Sequence, residues 1–317
     1  MTKSIVIIVG PTAVGKTKYA IYTAGCLDGE IISADSMQVY KDMDIGSAKP
    51  SQQELKAVRH HLIGEIDPFE NWSVADYQRE AKSRIADILS RGRLPLVSGG
   101  TGLYVNSLIF DMDFAEIKED EGLRNELQHL ADKEGGHALH ERLKKIDPEG
   151  AKRIHPNNIK KMIRAIEVAE STGRGVAAFE RAFVKTRDYK CILVGLNRSR
   201  ELLYNRIDER VDEMMTAGLL EEVRSLVTRG LSQEHNSMKG IGYKELIEHL
   251  SGNCSLEEAI KQIKQNSRNY AKRQMTWFRR YHDIRWFDLD EDKNFLESAC
   301  EIQEYIRSQL SEGQRLG

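Results

Sequence analysis

Short apolar runs alternate with helical patterns through the first hundred residues. SIVIIVG (Ser4–Gly10) reads as a strand buried on both faces, followed by a glycine-rich turn and a helix from about Gly15. GEIISAD (Gly29–Asp35), HHLIGEI (His60–Ile66) and LPLVSGG (Leu94–Gly100) read as three further strands. Ser73, with Asp76 three residues on, has the form of a capping box and opens a helix to about Arg91. Strands alternating with helices predict a parallel α/β sheet. From about Phe114 to Tyr189 the pattern is helical stretches, glycine pairs and charges, with no buried strand; KCILVGL (Lys190–Leu196) restores the strand signal. The expected organisation is an α/β core formed by residues 1–112 and 190–317, interrupted by a mostly helical insertion at 113–189. From Ser199 on the chain reads as mostly helical.

Composition adds limits. The chain has 317 residues, 40% apolar and 30% charged, ordinary values for a globular protein. No apolar run approaches the ~18 residues of a membrane span, and MTKSIVIIVG reads as a first strand rather than a signal peptide. Cys26, Cys191, Cys254 and Cys300 are scattered without CxxC or Cys/His spacing, so neither a zinc site nor a disulfide framework is expected, and a reducing cytoplasm is the default. His60 and His61 read as strand-end packing, since no acids stand at ligand spacing. Nothing signals an oligomer interface, so a monomer is expected.

Net charge is −2, but from Lys261 to Arg285 there are eight Lys/Arg against one acid, Asp283. Ser255 and Glu258 form a capping box that starts a helix here. At helical spacing Ile260, Ile263, Tyr270, Trp277 and Tyr281 share one face, while Lys261, Lys264, Arg268, Lys272 and Arg279 gather nearly opposite. That basic face is either simply solvated or meets phosphate.

The strongest motif is GPTAVGKT: Gly10, Pro11, Thr12, Ala13, Val14, Gly15, Lys16 and Thr17. It fits GxxxxGK[ST] between a predicted strand and a predicted helix, the context a P-loop requires. Glycines let backbone N–H groups curl around phosphate oxygens, the helix N-terminus adds partial positive charge, Lys16 adds a full one, and the Thr17 hydroxyl is a candidate Mg²⁺ ligand. A P-loop that hydrolyses a nucleotide usually has an acid at a neighbouring strand end. Here LPLV ends in Ser98-Gly99-Gly100, and the acid instead follows the second strand, at Asp35. That suits a base aimed at an acceptor, with the P-loop gripping a diphosphate leaving group. In an open α/β sheet ligands bind beyond the carboxyl ends of strands, so Asp35 is expected in the same crevice. Gln38 carries the donor–acceptor pair that reads an adenine edge. The plainer alternative makes Asp35 a helix cap and Gln38 a solvated side chain.

GPTAVGKT, DSMQVY (Asp35–Tyr40), IGSAKP (Ile45–Pro50), HHLI (His60–Ile63) and SGGTGLY (Ser98–Tyr104) together resemble the ordered motifs of the bacterial tRNA dimethylallyltransferase family. The likeness continues through RIHPNNIKKMIRAIEV (Arg153–Val168), ERVDEMMTAGLLEEV (Glu209–Val223), KGIGYKE (Lys239–Glu245) and RNYAKRQMTWFRR (Arg268–Arg280). Ile159-Lys160-Lys161 stands where the family pattern has Pro-Gln-Arg, and Ser47 where it has Thr.

The resemblance implies a P-loop NTPase-like core that transfers dimethylallyl from dimethylallyl diphosphate, with Mg²⁺, to N6 of the adenosine just 3′ of the anticodon in tRNA. It implies Asp35 as base, Thr101 near the reaction centre and Arg210 beside the diphosphate. It implies anticodon stem–loop contacts by Asp35, Ser36, Met37, Gln38 and Thr101, by Arg124, and by Ile159, Lys160, Lys161, Met162, Ile163 and Arg164. It also favours tRNA phosphate contact for Lys264, Arg268 and Lys272. Three rival readings stand beside it: a small-molecule kinase, an isopentenyltransferase for free adenine nucleotide, and a non-catalytic tRNA-binding protein.

Overall fold

The computed structural model describes residues 3–112, 120–173, 175, 184–289 and 294–315. The chain divides into two compact units, one of Met1–Ile109 with Arg187–Gly317 and one of Phe110–Thr186.

The first unit is an α/β sheet. In chain order it runs β1 (Ser4–Val9), α1 (Lys16–Cys26), β2 (Gly29–Ser33), α2 (Gln52–Ala57), β3 (His60–His61), α3 (Val74–Ser90), β4 (Leu94–Gly99) and α4 (Gly102–Ile109). The second unit holds α5 (Glu121–Glu134), α6 (Gly136–Ile146), α7 (Pro148–Ala151) and α8 (Ile159–Thr172). The first unit then resumes with β5 (Lys190–Asn197), α9 (Arg200–Thr216), α10 (Leu219–Thr228), α11 (Tyr243–Leu250), α12 (Leu256–Phe278), β6 (Arg285–Asp288) and α13 (Phe295–Arg315).

The strands form one six-stranded sheet in the order β3-β2-β4-β1-β5-β6, parallel throughout. The parallel α/β expectation therefore holds. β1 lies inside the sheet and every residue of it is buried, which is why it is apolar without alternation. Its side chains join those of α1, β5, α9 and α13 in one core that includes Val6, Ile8, Ala20, Val194, Leu203 and Ile302. A second core, with Met43, Val223, Tyr243 and Ile263, sits among α9 to α12 and the segment after β2.

The caps form as read. Ser73 Oγ accepts from Asp76 N (3.2 Å) while the Asp76 carboxylate accepts from Ser73 N (3.0 Å), and Ser255 and Glu258 do the same at α12. Two expectations change. β3 is only His60–His61 rather than 60–66, because Leu62 takes a positive φ of 61° and Gly64 follows at 62°, which turns the chain out of the sheet. β6 is a strand in a stretch expected to be mostly helical; its four residues are exposed or half-buried at the sheet edge, so they carry no apolar run to announce them.

The second unit has its own core of Leu127, Leu139, Leu143, Met162 and Ile166. Beside it Glu167, fully buried, accepts from Arg124 (2.9 Å) and Arg164 (2.6 Å) and from Asp120 N (3.1 Å). Burial alone would raise the Glu167 carboxyl; these hydrogen bonds outweigh it and hold it below its ordinary range. Among the described residues no helix is long and apolar enough to cross a membrane.

Candidate active site

The carboxyl ends of β1, β2 and β4, with α9 and α12, enclose a cavity of about 690 Å³. The chain leaving β1 turns through Gly10–Gly15 and enters α1 at Lys16. Gly15 sits at φ 109°, in the region only glycine occupies at low cost, and Ala13 at φ 62° is held there despite its Cβ. No side chain caps α1, so its first N–H groups stay open to an anion.

The loop's carbonyls face cations. Lys16 Nζ donates to Gly10 O (3.0 Å) and Pro11 O (2.8 Å). Arg206 Nε on α9 donates to Ala13 O (3.0 Å), and Arg198 Nε to Val14 O (3.1 Å). Arg210, one turn after Arg206, also lines the cavity. Burial lowers the Lys16 ammonium to about 8, with Asp35 pulling it up and Arg210 pushing it further down. A bound diphosphate would favour the charged form. Anion affinity is therefore expected to hold below pH 8 and to weaken by up to ~tenfold per pH unit above it, as the free protein's Lys16 loses its proton. Titrating a non-reactive diphosphate from neutral to alkaline pH checks this; a flat profile through pH 9 would show that Lys16 does not govern binding.

The acceptor side is built where β2 and β4 end. Asp35 Oδ1 accepts from Met37 N (2.9 Å) and Gln38 N (3.4 Å), an Asx turn that fixes the carboxylate, and Oδ2 makes no hydrogen bond among the described residues. The helix-cap alternative does not form, since residues 36–39 are a turn and the next helix starts at Gln52; the Asx turn instead places Asp35 on the cavity that holds Lys16. Thr101 Oγ1 accepts from Ser36 N (3.1 Å), and Thr101 N donates to Ala34 O (3.0 Å). Gly99 permits this, since a Cβ there would collide with the Ala34 backbone.

Of the residues the sequence singled out, Thr12, Ala13, Gly15, Lys16, Thr17, Asp35, Ser36, Met37, Gln38 and Arg210 line the one cavity. Gly10, Pro11 and Val14, in the same loop, are buried and do not line the cavity, and Thr101 braces the 35–38 turn through Ser36. The Gln38 amide is already engaged. Oε1 accepts from Ser33 Oγ (2.9 Å), and Nε2 donates to Ser47 O (3.3 Å) and Ala48 O (3.1 Å). Both Nε2 donors are thus spent while Oε1 keeps a second lone pair, so reading an adenine edge with that amide would first take release of an Nε2 contact. The loop that holds it is tied down by Glu222, which accepts from the backbone N–H of Asp44 (2.8 Å), Ile45 (2.8 Å) and Gly46 (3.0 Å) and from the Tyr243 hydroxyl (2.7 Å).

Two further corrections concern basic and apolar side chains. Lys264 and Arg268 do not form an unpaired basic face: Lys264 meets Asp212 (2.7 Å) and Arg268 meets Asp208 (2.5 Å), both on α9. They are only 24% and 21% exposed, whereas Lys272 is exposed. In the second unit Met162 and Ile163 are 0% and 8% exposed and point into its core, leaving Lys160, Lys161 and Arg164 on the outside of α8 and Ile159 half-buried.

Sequence reasoning missed Arg206, Tyr270, Arg273 and Gln274, all lining the cavity. Arg206 could have been found by its one-turn spacing from Arg210. Tyr270 reads in sequence as part of an apolar stripe; burial, then the Asp35 charge, push its hydroxyl up to about 12, so it stays neutral beside Thr101 and Gln274. The only metal ligand read from the sequence, the Thr17 hydroxyl, opens on the cavity. No group of three or more acids, His or Cys that could hold a metal occurs among the described residues. A lone hydroxyl at the end of a phosphate loop fits Mg²⁺ in the P-loop manner, with substrate phosphates and water supplying the other oxygens.

Comparison with known proteins places this geometry. The IPP transferase family matches residues 38–281, and the isopentenyl transferase family matches residues 3–67. The tRNA dimethylallyltransferase of Geobacillus thermodenitrificans is 50% identical over 310 residues, 98% of each chain. That of Thermoanaerobacter sp. is 46% identical over 314 residues, covering 98% of this chain and all of the relative. Among solved structures, the tRNA isopentenylpyrophosphate transferase of Bacillus halodurans superposes with a TM-score of 0.76 at 46% identity over 99% of both chains. A eukaryotic dimethylallyltransferase acting on tRNA superposes with a TM-score of 0.84 at 29% identity, covering 97% of this chain and 80% of that one. With the family matched over most of its length and relatives near half identical end to end, the chain belongs to the IPP transferase family, that of the tRNA dimethylallyltransferases, and is a prenyl transferase.

Proposed function

We propose that the protein transfers the dimethylallyl group of dimethylallyl diphosphate to N6 of the adenosine immediately 3′ of the anticodon in tRNA, giving N6-(dimethylallyl)adenosine. The observation that carries this reading is the sharing of one cavity by an anion-binding loop after β1 and an Asp after β2, the next strand but one, with Met37, Val211, Met214 and Ile241 as apolar wall. Phosphate-binding, proton-accepting and hydrocarbon-binding groups thus converge on a volume that suits a small diphosphate ester and one base.

In this mechanism the N–H groups of Gly15, Lys16 and Thr17, the Lys16 ammonium and Arg210 hold the diphosphate. They stabilise the charge that grows on it as its bond to the allylic carbon stretches. The Thr17 hydroxyl would hold Mg²⁺, which would add charge neutralisation at the diphosphate. Adenine N6 is a weak nucleophile because its lone pair is delocalised, so Asp35 Oδ2 takes its proton as the new C–N bond forms. Thr101 keeps Ser36 and Asp35 in register. The target base must leave its stack to reach Asp35. The insertion contacts the anticodon stem–loop through Arg124, Ile159, Lys160, Lys161 and Arg164, while Met162 and Ile163 hold α8 on the core behind them. The enzyme acts as a monomer in the cytoplasm.

Digestion of tRNA treated with enzyme and labelled donor, followed by mass spectrometry, tests the acceptor position. Label is expected at the adenosine next to the anticodon and is expected to vanish when guanosine replaces it. Label on any other nucleoside would reject the assignment.

Lys272 gives a cleaner test of the α12 surface than Lys264 or Arg268, whose reversal would set acids against Asp212 and Asp208. Lys272→Glu is expected to weaken tRNA binding while leaving donor binding unchanged. It should also flatten the log–log salt dependence of tRNA affinity by roughly 0.7–0.9, the value of one phosphate contact. An unaltered slope would assign Lys272 to solvent.

A further inference from the structure

We infer that Gln274 is a positioning residue for the transfer reaction, a single buried amide that sets the spacing between the diphosphate loop and the acceptor-side turn. The inference rests on the reaction proposed above. Gln274 lies on α12 and is 5% exposed. Its Oε1 accepts from Thr12 N in the phosphate loop (2.8 Å), and its Nε2 donates to Gly100 O, beside Thr101 (2.9 Å). The two loops belong to different strand ends, β1 and β4, and carry the two halves of the site. One planar group of fixed length therefore spans them.

An amide does this at every pH. It must present an acceptor to an N–H and a donor to a C=O at once; Glu ionised has no donor, Leu has neither, and Asn is one methylene short. Gly100 is shaped to it, since a Cβ there would collide with Gln274 Nε2. The bond also takes the Thr12 N–H out of the set available to phosphate, which leaves the N–H groups at the start of α1 for the diphosphate. Alkyl transfer requires the attacking nitrogen and the allylic carbon in line at near-contact distance, and a shift of about 1 Å can cost about a hundredfold in rate. A residue that fixes donor loop against acceptor turn acts on that distance while touching neither reacting atom.

Gln274→Leu is expected to slow single-turnover transfer at saturating dimethylallyl diphosphate and tRNA by roughly ten- to a hundredfold. Equilibrium dissociation constants for dimethylallyl diphosphate and for tRNA should stay within about threefold of wild type, because the groups that bind each remain. Gln274→Glu keeps the size of the side chain and supplies the missing donor only when protonated. Its rate relative to wild type is expected to fall as pH rises through the ionisation of the introduced carboxyl, a profile that a merely structural role would not produce. If the leucine variant does not fold, this profile decides. A folded Gln274→Leu with the wild-type single-turnover rate, or a Gln274→Glu to wild-type ratio that is flat with pH, would overturn the inference while leaving the reaction standing. A wild-type protein that transfers nothing to tRNA would reject the reaction and this inference with it.

Discussion

Replacing Lys16 by alanine is expected to lower dimethylallyl transfer by at least a hundredfold. Two losses combine. The ammonium no longer meets the diphosphate in the ground state, and it no longer offsets the charge that accumulates as the allylic bond breaks. One preorganised charge-assisted contact in a closed site is worth about 3 kcal/mol of transition-state stabilisation. Lys16 also clips Gly10 O and Pro11 O, so the variant loop loses a brace and its N–H groups lose part of their alignment. Steady-state kinetics with varied donor separate these effects: the Michaelis constant for dimethylallyl diphosphate rises and the turnover number falls. A variant with near-normal turnover would remove the phosphate cradle from the account.

The second large effect is at Asp35. Asp35→Asn keeps an oxygen able to accept from Met37 N, so the Asx turn and the position of the side chain survive. It cannot take the N6 proton. Single-turnover rates are expected to fall by roughly 10²–10⁴-fold, with tRNA affinity within a few-fold of wild type. Asp35→Ala should lose the same chemistry and loosen the 35–38 turn as well. An asparagine variant that transfers normally at saturating tRNA but binds it poorly would make Asp35 a docking residue and leave the proton to another group.

These two positions could be read from the chain because their constraints are local. A phosphate cradle needs its glycines, lysine and hydroxyl at fixed spacing between a strand and a helix, and an acid directly after a parallel strand must lie at the carboxyl edge of the sheet. What could not be read acts across the fold. Gln274 reaches Thr12 over 262 residues, and within a basic helix an amide looks like any solvated side chain. Glu222 ties the 44–46 backbone over 176 to 178 residues and has no local signature. The basic face of α12 was overread for the same reason, since the acids that pair Lys264 and Arg268 come from α9. Helical spacing placed Lys160, Lys161 and Arg164 together, but a contiguous run such as 159–164 must wrap the helix, and Met162 and Ile163 therefore turn inward. β6 escaped notice because a half-exposed edge strand does not need an apolar run.

The most direct test of the account is a donor–acceptor competition. Dimethylallyl diphosphate labelled in its hydrocarbon is offered to the wild-type protein with Mg²⁺, unmodified tRNA, AMP and ATP together. The account predicts label in tRNA, release of one diphosphate per group transferred, and none in either nucleotide. Label in AMP or ATP with tRNA unmodified would contradict it.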